Sequence, residues 1–299
     1  MADRVACAAA SLAIGEPLHG TAPRASAWLL VEQPGPWGAK ALTESALDPA
    51  LGAELERRAA AAGAKALLVK RPGRAPARNI RRAFVCSPAP ASPFVEEIDL
   101  SDPAALLEVD LEAVARGERT GLGALRSGPL YLVCTNGRRD ACCASLGLPV
   151  LRELEADRPD AAWECSHLGG HRYAANVVCL PDGICYGRVT AADAHDLLRQ
   201  HEQGELRLEH LRGRASLAPP AQAAESFLRE REGIVAVTGL SHVSSANGSS
   251  TFETSDGRRF RVEVVLTQGP ERPASCGEPP EPSERFDLVS VVELESRRP

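Results

Sequence analysis

Short, wholly apolar runs alternate with stretches of helical spacing through the first two thirds of the chain. Residues 28–32 (Trp-Leu-Leu-Val-Glu) read as a strand. Over 48–62, Leu51, Leu55 and a series of alanines recur at helical spacing, and Gly63 stands where a helix of that length would end. Residues 66–69 form a second apolar run, and strands follow near 81–87 and 94–99. Ser101-Asp-Pro then opens a helix over 103–115, with Pro103 in the first turn, where its missing N–H costs nothing.

The pattern starts again near 129. Residues 130–133 read as a strand, and 141–156 as a helix interrupted or restarted at Pro149. Residues 161–164, 177–180 and 184–189 read as strands, the last two joined by the turn Pro181-Asp-Gly. A helix over 191–203 has Thr190 as its N-cap. Residues 213–221 have the composition of a linker. Beyond them lie a helix over 220–231 and strands near 233–240, 250–254, 259–266 and 286–294, with Asp256-Gly257 as a hairpin turn. The Pro-, Gly- and Glu-rich stretch 269–284, which carries Cys276, reads as a loop, and no chemistry-bearing constellation shows in this tail.

Both halves thus spell strand, helix, strand, hairpin, helix. That order predicts an α/β protein: two thioredoxin-like mixed-sheet units in tandem, over residues 1–120 and 121–212, with a small α+β C-terminal region over 220–299. One local echo, Arg82-Ala-Phe-Val-Cys-Ser-Pro beside Tyr173-Ala-Ala-Asn-Val-Val-Cys-Leu-Pro, fits an internal repeat.

A formal charge of −6 argues against a basic nucleic-acid surface. No apolar run approaches the ~20 residues that span a bilayer. Val5–Ile14 after Arg4 has the outline of a leader, but Asp3 offsets the charge and alanine is weakly hydrophobic. The expectation is a cytoplasmic protein. In a reducing compartment nine cysteines, an odd number, favour metal or catalytic roles over disulfides.

The chemistry concentrates in Cys134-Thr-Asn-Gly-Arg-Arg-Asp-Ala-Cys-Cys and Cys165-Ser-His-Leu-Gly-Gly-His-Arg, which put four of the nine cysteines and two of the seven histidines between 134 and 171. Cys134 ends a predicted strand. Cys143 falls third in the next helix if Asp140 is its N-cap, where the helix dipole and free N–H groups favour a thiolate. His167 and His171 flank Gly169 and Gly170, which permit a tight loop close to a metal centre. Thiolates with imidazoles select zinc or an iron–sulfur cluster, and spacing alone leaves both open.

Three motifs add to this: Arg139-Asp-Ala-Cys-Cys-Ala, Trp163-Glu-Cys-Ser-His-Leu-Gly-Gly-His-Arg-Tyr-Ala-Ala-Asn, and Pro181-Asp-Gly followed by Tyr186-Gly-Arg-Val. With Gly20-Thr-Ala and the Trp28–Gly38 stretch, the chain resembles the sucrase/ferredoxin-like family, a branch of thioredoxin-like 2Fe–2S proteins, over roughly residues 7–203. The resemblance implies a 2Fe–2S cluster held by a Cys-x8-Cys pair and a His-x3-His pair, which map onto Cys134, Cys143, His167 and His171. It implies an electron carrier more than an enzyme, with donor and acceptor proteins the sequence does not name. No carboxylate pair suggests glycoside cleavage.

Other readings are weaker. Cys165-Ser-His167-Leu-Gly resembles the first half of a Rieske motif, but the second half, Cys-x-x-His, is absent, leaving Cys165 an alternate ligand or a group that supports the ligands. A dithiol oxidoreductase would need Cys-x-x-Cys, and the adjacent Cys142 and Cys143 do not supply it. A zinc-binding interaction module and a single-cysteine peroxidase stay open as alternatives.

Overall fold

The computed structural model describes residues 6–73 and 81–295. Helix α1 (Cys7–Ala13) comes first. The first half then forms β1 (Trp28–Glu32), α2 (Pro49–Ala61), β2 (Lys65–Lys70), β3 (Arg81–Ser87), β4 (Phe94–Leu100), a 3-10 turn (Pro103–Glu108), α3 (Leu111–Ala115) and the two-residue β5 (Ala124–Leu125). The second half forms β6 (Leu130–Cys134), α4 (Ala141–Asp157), β7 (Ala162–Cys165), a 3-10 turn (His171–Tyr173), β8 (Val177–Leu180), β9 (Ile184–Tyr186) and α5 (Ala191–Glu202). A last 3-10 turn (Leu208–His210) leads into β10 (Leu211–Arg214), α6 (Pro219–Glu232), β11 (Leu240–Ala246), β12 (Ser249–Thr254), β13 (Arg259–Pro273) and β14 (Pro280–Leu294).

The two halves share one strand plan. In each, the first strand pairs parallel with the strand after the helix and antiparallel with the next, which in turn pairs antiparallel with the last. The halves meet where β2 pairs antiparallel with β7, Val69 opposite Cys165 and Lys70 opposite Glu164. One mixed sheet of ten strands results among the described residues, ordered β10-β9-β8-β6-β7-β2-β1-β3-β4-β5.

Its central strands are buried on both faces, so they read as unbroken apolar runs. Trp28, Leu30, Val69, Phe84, Leu132, Trp163 and Val178 line one face across both halves. Leu29, Val31 and Val85 face the other way with the α2–α3 side, as do Tyr131, Val133 and Val177 in the second half with residues of α4 and α5. Phe84 and Trp163 meet edge to face, ring centroids 5.1 Å apart, though β3 and β7 are separated by two strands. The sheet therefore curls around this shared face.

Several local expectations differ from the structure. Helix α4 runs unbroken through Pro149, which lacks the N–H that would have reached the Ser145 carbonyl and sets its ring against that carbonyl. The 103–115 helix is a 3-10 turn followed by a short α-helix, each started by an aspartate, Asp102 and Asp110. The 213–221 stretch begins as β10, paired with β9, and then enters α6. The strand expected near 233–240 starts only at Leu240. The presumed loop 269–284 is mostly strand: β13 and β14 stay paired out to Pro273 opposite Pro280. Prolines are tolerated there because β12 pairs only with residues 259–263 of β13, leaving the far hairpin two-stranded with free edges. Of the leader-like run, residues 7–13 form α1, while Arg4 and Val5 lie outside the described residues. No helix of the described residues is long and apolar enough to cross a membrane.

The far end of the β13–β14 hairpin returns to the sheet through a buried charge network. Glu16 Oε1 accepts from Arg172 Nε at 3.0 Å, the Tyr173 hydroxyl at 2.9 Å, and Arg272 Nε and Nη2, both at 3.1 Å. The Glu16 and Arg272 side chains are 1% and 4% exposed. Burial pushes the carboxyl up, but its cationic and hydroxyl partners outweigh burial and hold it below its ordinary range. A depressed folded-state value means the stabilisation is full above the ordinary glutamate pKa, about 4.3, and is lost as pH falls through the folded value. Glu16→Gln leaves the buried Arg272 with only the exposed Glu281, 3.3 Å away, as a charged partner and should cost about 3 kcal/mol at pH 7. Urea unfolding of both proteins checks this: the gap between them should narrow below pH 4.3, about where the glutamate reference lies, and equal stability at pH 7 would refute it.

Candidate metal centre

Cys134 is the last residue of β6, and its strand register places it beside Cys165. The chain turns through Thr135–Arg139 into α4. Thr135 donates to Glu164 at 2.7 Å, and the Asn136 amide donates to the Gly38 carbonyl at 3.1 Å, tying this turn to the first half. Asp140 is the N-cap, accepting from the Cys142 N–H at 2.9 Å, so Cys143 is the third helical residue. Gly147 lets α4 sit directly on the strand end: a Cβ there would lie 2.3 Å from the Cys134 carbonyl oxygen.

His167 and His171 sit on the loop after β7. Gly169 and Gly170 adopt φ of 98° and 71°, the left-handed region that turns the chain back on itself. The buried Arg212 guanidinium donates to the Gly169 carbonyl at 3.2 Å and to Asn176 Oδ1 at 2.8 Å, and Asn176 donates to the Gly170 carbonyl at 2.9 Å. This clamp holds the two imidazoles with ring centroids 5.2 Å apart.

The structure brings three of the four expected ligands into one group. His167 Nδ1 lies 3.9 Å from Cys134 Sγ and 3.8 Å from Cys143 Sγ, and these three ligand atoms lie within 4.8 Å of one another. His171 falls outside that mutual distance, and its hydrogen bonding leaves one ring nitrogen unused. Its Nε2 lies 2.7 Å from the Ala274 carbonyl, which can only accept, so Nε2 carries the hydrogen and Nδ1 keeps a lone pair. That Nδ1 is buried and has no hydrogen-bond partner. Burial lowers the pKa of His171, against the pull of Asp140, and so favours the neutral imidazole a metal requires. A hydrogen bond from Cys143, together with His167 and the Leu168 N–H, holds Cys134 well below the ordinary thiol range despite its burial. The proton stays on Cys143, whose thiol is correspondingly pushed up.

Cys165 is buried in the shared core and stands outside this group among the described residues. A second group was not legible in the sequence. Cys276, in a tail to which no constellation was assigned, meets Cys7, Asp140 and Cys142. These contacts span more than a hundred residues, and no local spacing signals them.

The model of the family described as sucrase/ferredoxin-like matches residues 18–213, more than half of the chain. The chain belongs to the sucrase/ferredoxin-like family. No curated protein and no solved structure matches it. The match ends within β10, so the 18–213 region contains both halves of the large sheet and all four residues of the candidate centre, while the antiparallel sheet β11-β12-β13-β14 lies beyond it.

The geometry separates the cysteines by role. Cys134→Ser and Cys143→Ser should each strip most of the metal bound at this centre, whereas Cys165→Ser should retain it. Metal analysis of the three purified variants checks this, and metal lost with Cys165 but kept without Cys143 would overturn the assignment.

Proposed function

We propose that this protein holds a 2Fe–2S cluster on Cys134, Cys143, His167 and His171 and works as a one-electron carrier. The observation that supports it best is the orphaned, buried Nδ1 of His171, a polar atom that a bound metal would satisfy. The spread of the donor set supports it too. A single tetrahedral ion draws four ligand atoms to within about 4 Å of one another, and His171 lies too far out for that. A binuclear centre spans a wider donor set than one ion does. Such a cluster, when bound, supplies a reversible one-electron couple.

The chain's own residues set the conditions. The Ala274 carbonyl fixes the His171 tautomer, and the Arg212–Asn176 clamp fixes the backbone of the loop between the two histidines. Cys134 and Cys143 are 1% and 0% exposed and His171 8%, so solvent is kept from most of the site. That burial also disfavours peroxidase chemistry at Cys134. His167 is the half-open side, adjoining a cavity that Lys40, Lys65 and Arg139 also line. That lining also holds Glu56, so cations outnumber carboxylates three to one beside the opening, which suits an acidic redox partner although the whole chain is acidic. Two neutral imidazoles in place of two thiolates halve the negative charge of the ligand set, so accepting an electron costs less there.

Anaerobically purified protein should therefore contain about two irons and two acid-labile sulfides per chain, with a potential well above the roughly −400 mV of plant-type four-cysteine clusters. Iron and sulfide assays with protein-film voltammetry test both points. Absence of acid-labile sulfide after expression in iron-replete cells would reject the reading.

A further inference from the structure

We propose that Cys7, Cys142 and Cys276, with Asp140, form a second metal site, mononuclear and tetrahedral, that takes a zinc-class divalent ion. Three segments converge on it: α1 at the start of the chain, the first turn of α4, and the tip of the β13–β14 hairpin. Their sulfurs form a nearly equilateral triangle, Cys7–Cys142 3.7 Å, Cys142–Cys276 3.3 Å and Cys276–Cys7 3.6 Å. Three corners of a tetrahedron with Zn–S bonds near 2.3 Å are about 3.8 Å apart. Asp140 Oδ1 supplies the fourth corner, 3.1 Å from Cys276 Sγ and 3.6 Å from Cys7 Sγ, where a sulfur–oxygen edge of about 3.5 Å is expected.

The carboxylate is held in place for this. Oδ1 accepts from the Cys142 N–H and Oδ2 from the Cys276 N–H, each at 2.9 Å. A disulfide is the poorer reading. It would join two sulfurs at about 2.0 Å and leave the third thiol idle, whereas the three separations are nearly equal. The compact donor set also differs from that of the first centre, whose fourth member stands apart. The adjacent pair Cys142 and Cys143 thus divides between two sites, consecutive helical residues pointing about 100° apart.

Binding would replace the thiol protons, which pass to solvent, and would staple the hairpin tip to the sheet. Ala274 and Ser275, just before Cys276, supply the partners of His171 Nε2 at 2.7 and 2.8 Å. The second ion would therefore position His171.

Metal analysis of the full chain should find about one zinc per protein beyond any iron. Cys7→Ser and Cys276→Ser should each lose that zinc while keeping the circular dichroism of the wild type, and Cys134→Ser should keep it. After chelation, Co²⁺ added to the wild type should give the intense visible bands and near-ultraviolet thiolate charge transfer of a tetrahedral site, both lost in Cys276→Ser. Three results would each overturn the proposal: zinc that follows Cys134 rather than Cys276, weak octahedral cobalt bands, or a Cys142–Cys276 disulfide in anaerobically alkylated protein. Because Cys134→Ser disrupts the first centre without altering any donor of this one, the iron reading can fail without this one failing.

Discussion

The carboxylate of Asp140 is the point on which the chemistry of this molecule turns. It caps α4 through the Cys142 N–H, and so fixes where the helix begins and which way Cys143 faces. Its other oxygen takes the N–H of Cys276, drawing in a hairpin tip from the far end of the sequence. The same oxygen lies 3.8 Å from His171 Nε2. A buried carboxylate is costly unless hydrogen bonds satisfy it, and here the backbone amides that do so belong to a helix carrying one proposed ligand and a hairpin that supports another. Burial raises the Asp140 pKa, but the Cys276 and Cys142 partners prevail and keep it ionised below its ordinary range.

The sheet explains why, among the described residues, the donors of the first centre all come from the second half. The two halves follow the same strand plan, yet β1 ends at Glu32 where β6 ends at Cys134. In the first half, Glu32 accepts from the Arg82 N–H and Gln33 from Arg81, so polar pairing closes that strand end. In the second, a thiol stands at the corresponding place and α4 starts within a few residues of it. The first half contributes support instead: the Gly38 carbonyl takes Asn136, and β2 seals the edge of β7. The β2–β7 pairing and a common apolar face join the two halves into one sheet.

What was legible in the sequence follows the range of the interactions. Fully buried strands announce themselves as apolar runs, Asp140 as an N-cap, and Gly63 by a φ of 64° just after α2. The Cys134, Cys143, His167 and Gly169-Gly170 arrangement was visible because one strand–turn–helix unit and one tight loop bring it together. Three things were hidden. Pro149 reads as a breaker, yet one lost hydrogen bond does not stop a helix seated on β6 and β7. The proline-rich hairpin reads as a loop, because sequence does not reveal that its outer edges are free. The Cys7–Cys142–Cys276 group depends on chain ends meeting in three dimensions, and no periodicity encodes that.

The central claim is that two histidines as well as two cysteines hold iron. Its most direct test is electron–nuclear double resonance on protein reduced anaerobically and labelled with ¹⁵N-histidine. The account predicts strong coupling from two distinct histidine nitrogens, one of them lost in His171→Ala if its cluster survives. A reduced cluster with no strongly coupled histidine nitrogen would contradict it.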